Sequence, residues 1–131
     1  MRAQYIGLEP WDSSGDGLIC RTPAGDIDLH GSASLAGFRV VGYPKLCLIL
    51  EFDRIKKSSF SLQFNDVGDL RFEQQSVSSE SWHETPPMDS AEYLDELSCY
   101  EYGNDLPPVF LVESLNYRFQ FRAMQVQFIE Y

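Results

Sequence analysis

Lysine and arginine are missing from the stretch between Phe72 and Tyr117, where ten acids fall: Glu73, Glu80, Glu84, Asp89, Glu92, Asp95, Glu96, Glu101, Asp105 and Glu113. A field of that sign repels phosphate, which argues against nucleic acid and anionic membrane as direct partners. Histidine is equally scarce, with only His30 and His83, so a two-histidine metal site or a histidine-based triad has little to draw on. GxSxG, HExxH, P-loop and GxGxxG patterns are all absent, and no catalytic residue is assigned. The three cysteines, Cys20, Cys47 and Cys99, are odd in number, far apart and never in a CxxC pair, so neither a disulfide framework nor a zinc knuckle is indicated. Cys47 lies in an apolar run and reads as core, and Cys20 and Cys99 read as ordinary buried thiols. No apolar run approaches the roughly 18 residues needed to span a bilayer. The N-terminus MRAQYIGLEPW lacks the apolar core and cleavage site of a signal peptide, so a cytoplasmic protein is expected.

What is present suits a folded chain. At 131 residues, 44% hydrophobic and 14% aromatic, the sequence reads as a single domain, 1–131, with one core. The net charge of −10 is unevenly spread, because the acidic stretch accounts for the whole excess and the remainder balances. A basic protein is the natural complement of such a surface.

Period-two alternation marks the strands. KLCLILEFD, residues 45 to 53, sets Leu46, Leu48, Leu50 and Phe52 against Cys47, Ile49, Glu51 and Asp53, and FSLQF, residues 60 to 64, directs Phe60, Leu62 and Phe64 inward. RIKKSS between them reads as a hairpin loop. NDVGD is a turn, after which Leu70 and Phe72 alternate with Arg71 and Glu73, giving a three-strand meander. Phe38, Val40 and Val41 in GFRVVGYP read as a preceding strand joined through a tight Gly-Tyr-Pro turn. In NYRFQFRAMQVQFIEY the apolar residues sit on odd positions at Tyr117, Phe119 and Phe121, then on even ones at Met124, Val126 and Phe128. That change of face predicts a bulged or bent long strand near Arg122-Ala123. Leu106-Pro107-Pro108 leads into a strand from Val109 to Val112.

The acidic stretch carries the pattern of one main helix, about residues 89–102. After Pro86-Pro87, Asp89 serves as N-cap with Glu92 three residues on, and Tyr93, Leu94, Leu97 and Tyr100 form a stripe that Gly103-Asn104 ends. Glu101 fits poorly at the negative end of such a helix, by roughly 0.3–1 kcal/mol. Residues 76–88 read as a mobile polar loop carrying Trp82. The expected fold is therefore α+β: an antiparallel, mostly meander sheet of about five to seven strands with one main α-helix. Trp82, Tyr93, Tyr100 and Tyr102 are interleaved with the acids, the make-up of surfaces that capture a basic partner by electrostatic steering. The candidate partner-binding residues are Trp82, Glu84, Glu92, Asp95, Glu96, Tyr100, Glu101, Tyr102 and Asp105.

DSSGDGLICRTP, residues 12–23, begins like an EF-hand loop, with oxygen side chains at its first, third and fifth positions and glycine at its sixth. Its twelfth position is Pro23, where a bidentate glutamate is required, and no helical pattern flanks it. Asp26 or Asp28 would have to supply a late ligand, so a surface turn is the better reading and no metal is assigned.

Four pieces, LHGSASL, KLCLILEFD, FSLQFNDVGDLRFEQ and FQFRAMQV, taken in order, resemble small bacterial immunity proteins of polymorphic toxin systems. The matching residues, Leu29 to Leu35, Leu46 to Phe72 and Phe119 to Val126, are about a third of the chain, and Gly31 stands where an acid is common in the family. No functional residue is carried over. The resemblance implies a protein that binds and blocks a toxin made by the same cell and needs no cofactor; a nuclease-type toxin, basic because it grips phosphate, would complement the acidic stretch. Three other readings stay open: an interaction module of another pathway, a small hydrolase or isomerase, and a ligand-binding β-barrel.

Overall fold

A computed structural model describes residues 1–11, 18–74, 92–103 and 105–131. Among these residues there are eleven strands and no helix: β1 (Gln4–Ile6), β2 (Ile19–Thr22), β3 (Gly25–Asp28), β4 (Ser34–Val41), β5 (Cys47–Asp53), β6 (Phe60–Asn65), β7 (Gly68–Gln74), β8 (Leu94–Tyr100), β9 (Val109–Ser114), β10 (Tyr117–Arg122) and β11 (Gln125–Glu130). They form a five-stranded sheet in the order β1-β11-β6-β5-β4, a four-stranded sheet in the order β7-β10-β9-β8, and the small β2-β3 hairpin. All neighbours are antiparallel except β1 and β11. No helix among the described residues is long and apolar enough to cross a membrane.

The two larger sheets face each other across an aromatic layer. Leu48, Leu50 and Phe52 of β5 and Phe60, Leu62 and Phe64 of β6 alternate onto the inner face and are buried. Phe110 of β9 and Phe119 and Phe121 of β10 meet them from the other sheet. Phe64 is the joint, with its ring centroid 5.3 Å from that of Phe110 and 4.8 Å from that of Phe121, both in edge-to-face geometry, the arrangement that opposed quadrupoles favour. Trp11 closes one side, edge-on to Tyr5 and Phe110. Gly7, just after β1, has φ of +81° and would place a Cβ 3.1 Å from the Phe128 carbonyl, so the chain needs glycine to leave β11 so closely.

The expected α+β fold is corrected to an all-β one, and the reason lies in a bulge. Residues 94–100, expected as the core of a helix over 89–102, form β8, and the register slips between Leu94 and Glu96. One extra residue, Asp95, lets Leu94 and Leu97 face the core together, and Leu97 and Cys99 then alternate with period two. A bulged strand thus reproduces the three-residue spacing of a helical stripe. Tyr100, expected on that stripe, is 40% exposed instead. The N-cap position, Asp89, and the loop expected at residues 76–88 lie outside the described residues.

The meander is also corrected. β4, β5 and β6 follow one another as expected, but the next strand leaves the sheet: Asp66, before β7, and Asp69, near its start, both have positive φ, and β7 pairs with β10. The face change at Arg122-Ala123 is the matching corner. β10 and β11 belong to different sheets, and the Met124 amide at the bend donates to the Asn65 carbonyl at 3.1 Å. Alternation reports which face a side chain takes and is silent about which sheet continues it.

Candidate functional site

β8 is the last strand of the four-stranded sheet, so the acids expected on a helix are strung along a sheet edge. Asp95 and Glu96 stand near its start, and Glu101, Tyr102 and Asp105 follow its end. Trp82 and Glu84 lie outside the described residues. The remaining seven candidates are brought to one edge, but they do not share one role.

Glu92 is structural. Its carboxylate accepts from Ser114 Oγ at 2.7 Å, from the Asn116 amide at 2.8 Å and from Asn116 Nδ2 at 2.7 Å, clamping the β9-β10 turn. Its carbonyl accepts from the Leu35 amide at 2.7 Å, which ties the same residue to β4. Glu92→Ala strips three donors of a charged acceptor and should destabilise the fold by about 1.5–3 kcal/mol. Urea unfolding checks this; an unchanged midpoint would show that the clamp carries no stability.

Asp95, the bulged residue, is exposed and lies 3.7 Å from His30 Nδ1. The His30 ring nitrogen is 2.7 Å from the Leu94 carbonyl, and because a carbonyl only accepts, Nδ1 carries the proton. The Leu94 amide donates to the Leu29 carbonyl at 3.1 Å. The Leu29-His30 turn therefore covers the first residue of the β8 edge. Beyond Leu94, the backbone of β8 bonds only to β9 among the described residues.

Across the outer face of this sheet the register sets Glu96 opposite Glu113, Glu113 opposite Arg118, and Arg118 opposite Glu73. Directly opposed like charges on neighbouring strands are unfavourable by a few tenths to about 1 kcal/mol. Glu113 has Arg118 on its other side, whereas Glu96, at the edge, accepts from Ser98 Oγ at 2.9 Å. Asp105 is exposed and has no hydrogen-bond or ion-pair partner among the described residues. Glu101 meets Arg2 at 3.6 Å in an exposed pair, and Tyr102 sits under the Arg122 guanidinium, 5.9 Å from ring centroid to Cζ.

The separation of charge seen along the chain is thus partly undone in space. Arg118 and Arg122 lie just beyond Tyr117, and the sheet folds them back against Glu113 and toward Tyr102. Arg118 was readable as a neighbour of Glu113, since a hairpin with its turn at Leu115-Asn116 sets the two opposite. Five of the twenty acids, Asp12, Asp16, Glu80, Glu84 and Asp89, lie outside the described residues.

Beside the end of β8 is a cleft of about 240 Å³ lined by Arg2, Ala3, Tyr5, Pro10, Trp11, Cys99 and Glu101. The Tyr5 hydroxyl is 3.7 Å from Cys99 Sγ, and burial raises the pKa of both groups. Cys20 is pushed up to about 12, again by burial. Cys47, expected in the core, is half-buried on the outer face of β5, donates to Asn65 Oδ1 at 3.2 Å, and is also raised by burial. A protonated thiol is a poor nucleophile, so these cysteines suit packing more than covalent chemistry.

The same shifts set an alkaline limit. Each raised group stays neutral in the fold while its unfolded counterpart ionises, so its stabilisation is complete below the ordinary thiol pKa and is lost as pH rises. Stability should decline from about pH 9 toward pH 12, the interval between the ordinary and the folded Cys20 values. Replacing Cys20 by alanine should flatten that decline in thermal melts, and an equal slope would contradict the assignment.

The EF-hand-like residues 12–17 lie outside the described residues. Pro23 sits in the turn of the β2-β3 hairpin, between Thr22 and Gly25, and no group of three or more potential metal-ligating side chains occurs among the described residues.

The fold and edge define an all-β protein of two facing sheets with an acidic, aromatic-flanked border. No protein-family model matches the chain, and neither a curated protein nor a solved structure matches it.

Proposed function

We propose that this chain is a non-enzymatic, stoichiometric binding protein of the immunity kind. It neutralises a basic, nuclease-type toxin by meeting it along the β8 edge with Asp95, Glu96, Tyr100, Glu101, Tyr102 and Asp105. The observation that carries this reading is Glu96: a carboxylate opposite another carboxylate, on the border strand, with no cation of its own sheet across from it. A lysine or arginine from a partner beside β8 would relieve that opposition. The exposed rings of Tyr100 and Tyr102 supply apolar area beside the acids, as binding hot spots require. The filled layer between the sheets, packed by Phe52, Phe60, Phe64, Phe110, Phe119 and Phe121, favours a binder over a barrel that holds a ligand inside.

Co-expression with the protein encoded by the neighbouring gene tests this. Protection of growth is expected from the native chain. A toxic neighbour that the native chain fails to restrain, or binding without any inhibition, would contradict the immunity reading.

A further inference from the structure

The four edges of the two larger sheets are not equally protected. β1 is three residues long, β7 carries Asp69, Arg71 and Glu73, and β8 carries Asp95 and Glu96. Charges of this kind are how sheets discourage edge-to-edge pairing. β4 is the exception: eight residues with a single charged side chain, Arg39, which donates to Glu51 at 3.0 Å. Its start is held where the Leu35 amide bonds to Glu92. Its far half is open among the described residues, with Val40 49% and Val41 41% exposed and Tyr43 88% exposed just beyond. The packing behind it is also incomplete at the surface. Phe38 contacts Phe72, Tyr117 and Phe119, yet Phe72 on the facing edge strand β7 remains 45% exposed.

We propose that the β4 edge pairs with β4 of a second copy of this chain, antiparallel about a two-fold axis at Val40, joining the two five-stranded sheets into one. Two observations select this occupant. The register on β5 puts Phe38 and Val40 on the inner face and Arg39 and Val41 on the outer face, so a self-pairing that preserves faces must oppose residues an even number apart. Centring on Arg39 would oppose two arginines, which is unfavourable. Centring on Val40 sets Val40 against its copy and Arg39 against Val41, so apolar groups meet and the Arg39-Glu51 pair is kept. Charge does not oppose a copy at this edge, because Arg39 and Lys45 are already paired within the chain with Glu51 and Asp66. This inference is independent of the proposed partner at β8, which lies in the other sheet.

Sedimentation of the full chain over a range of concentrations should show a monomer-dimer equilibrium that added salt does not weaken. Val40→Lys, which sets two lysines on the axis, should weaken dimerisation at least tenfold with little change in the thermal midpoint. Antiparallel opposite residues have Cα atoms about 4.5–5.5 Å apart, within the range that a disulfide spans. Val40→Cys should therefore cross-link the dimer under mild oxidation, while Ile55→Cys, at an exposed hairpin tip, should not. Monomers at every concentration would overturn the proposal, as would a dimer unaffected by Val40→Lys in a folded protein. Equal cross-linking at Ile55 and Val40 would overturn it as well.

Discussion

Phe64→Ala should destabilise the protein by about 3–5 kcal/mol, the upper range for removing a buried ring without collapse of the space it leaves. Phe64 is fully buried and bridges the sheets through Phe110 and Phe121, which in turn stack on each other at 5.6 Å. Phe64 and Phe110 are paired to neighbouring strands on both sides and Phe121 is paired to Phe110 on β9, so the gap cannot close by moving one loop. Phe72→Ala supplies the comparison, because its ring is 45% exposed at an edge and recovers solvent contact when truncated. Urea denaturation of both variants should separate them clearly. Equal small losses would mean that the two sheets do not share this aromatic layer.

Reversing Asp95, Glu96, Glu101 and Asp105 to lysine should slow association with a basic partner by roughly ten- to a thousand-fold, the span attributed to electrostatic steering. All four are exposed or half-exposed and none belongs to the aromatic core, so the variant should fold. Glu92 is kept native, because it holds the β9-β10 turn. The native protein should lose association rate as salt rises, while the reversed variant should be nearly insensitive to it. A variant that binds as fast as the native chain at low salt would remove β8 from the partner surface.

Strand positions along 38–73 were legible because apolar inner residues recur at every second position, as with Leu48, Leu50 and Phe52. Partners were less legible. The same alternation continues from Phe64 to Leu70 and Phe72 whether the chain adds to its own sheet or crosses to the other, and the corner at Asp66 to Asp69 decides. β8 was misread for a specific reason: the Asp95 bulge gives Leu94 and Leu97 the spacing of a helix turn. The candidate site was legible in part. Asp95, Glu101, Tyr102 and Asp105 are exposed, as their polar surroundings in the sequence suggest, and Tyr100 joins them instead of lying on a buried stripe, but nothing in their spacing distinguished Glu92, whose partners Ser114 and Asn116 are more than twenty residues away. The charge contrast depended on a window ending at Tyr117, one residue before Arg118.

Amide hydrogen exchange, residue by residue, with and without the protein encoded beside this one, tests the β8 surface most directly. Slowed exchange should be confined to residues 95–101 and their neighbours on β9, with a loss of that protection at high salt. Unchanged exchange along β8, with protection appearing instead on the outer face of the five-stranded sheet, would contradict it.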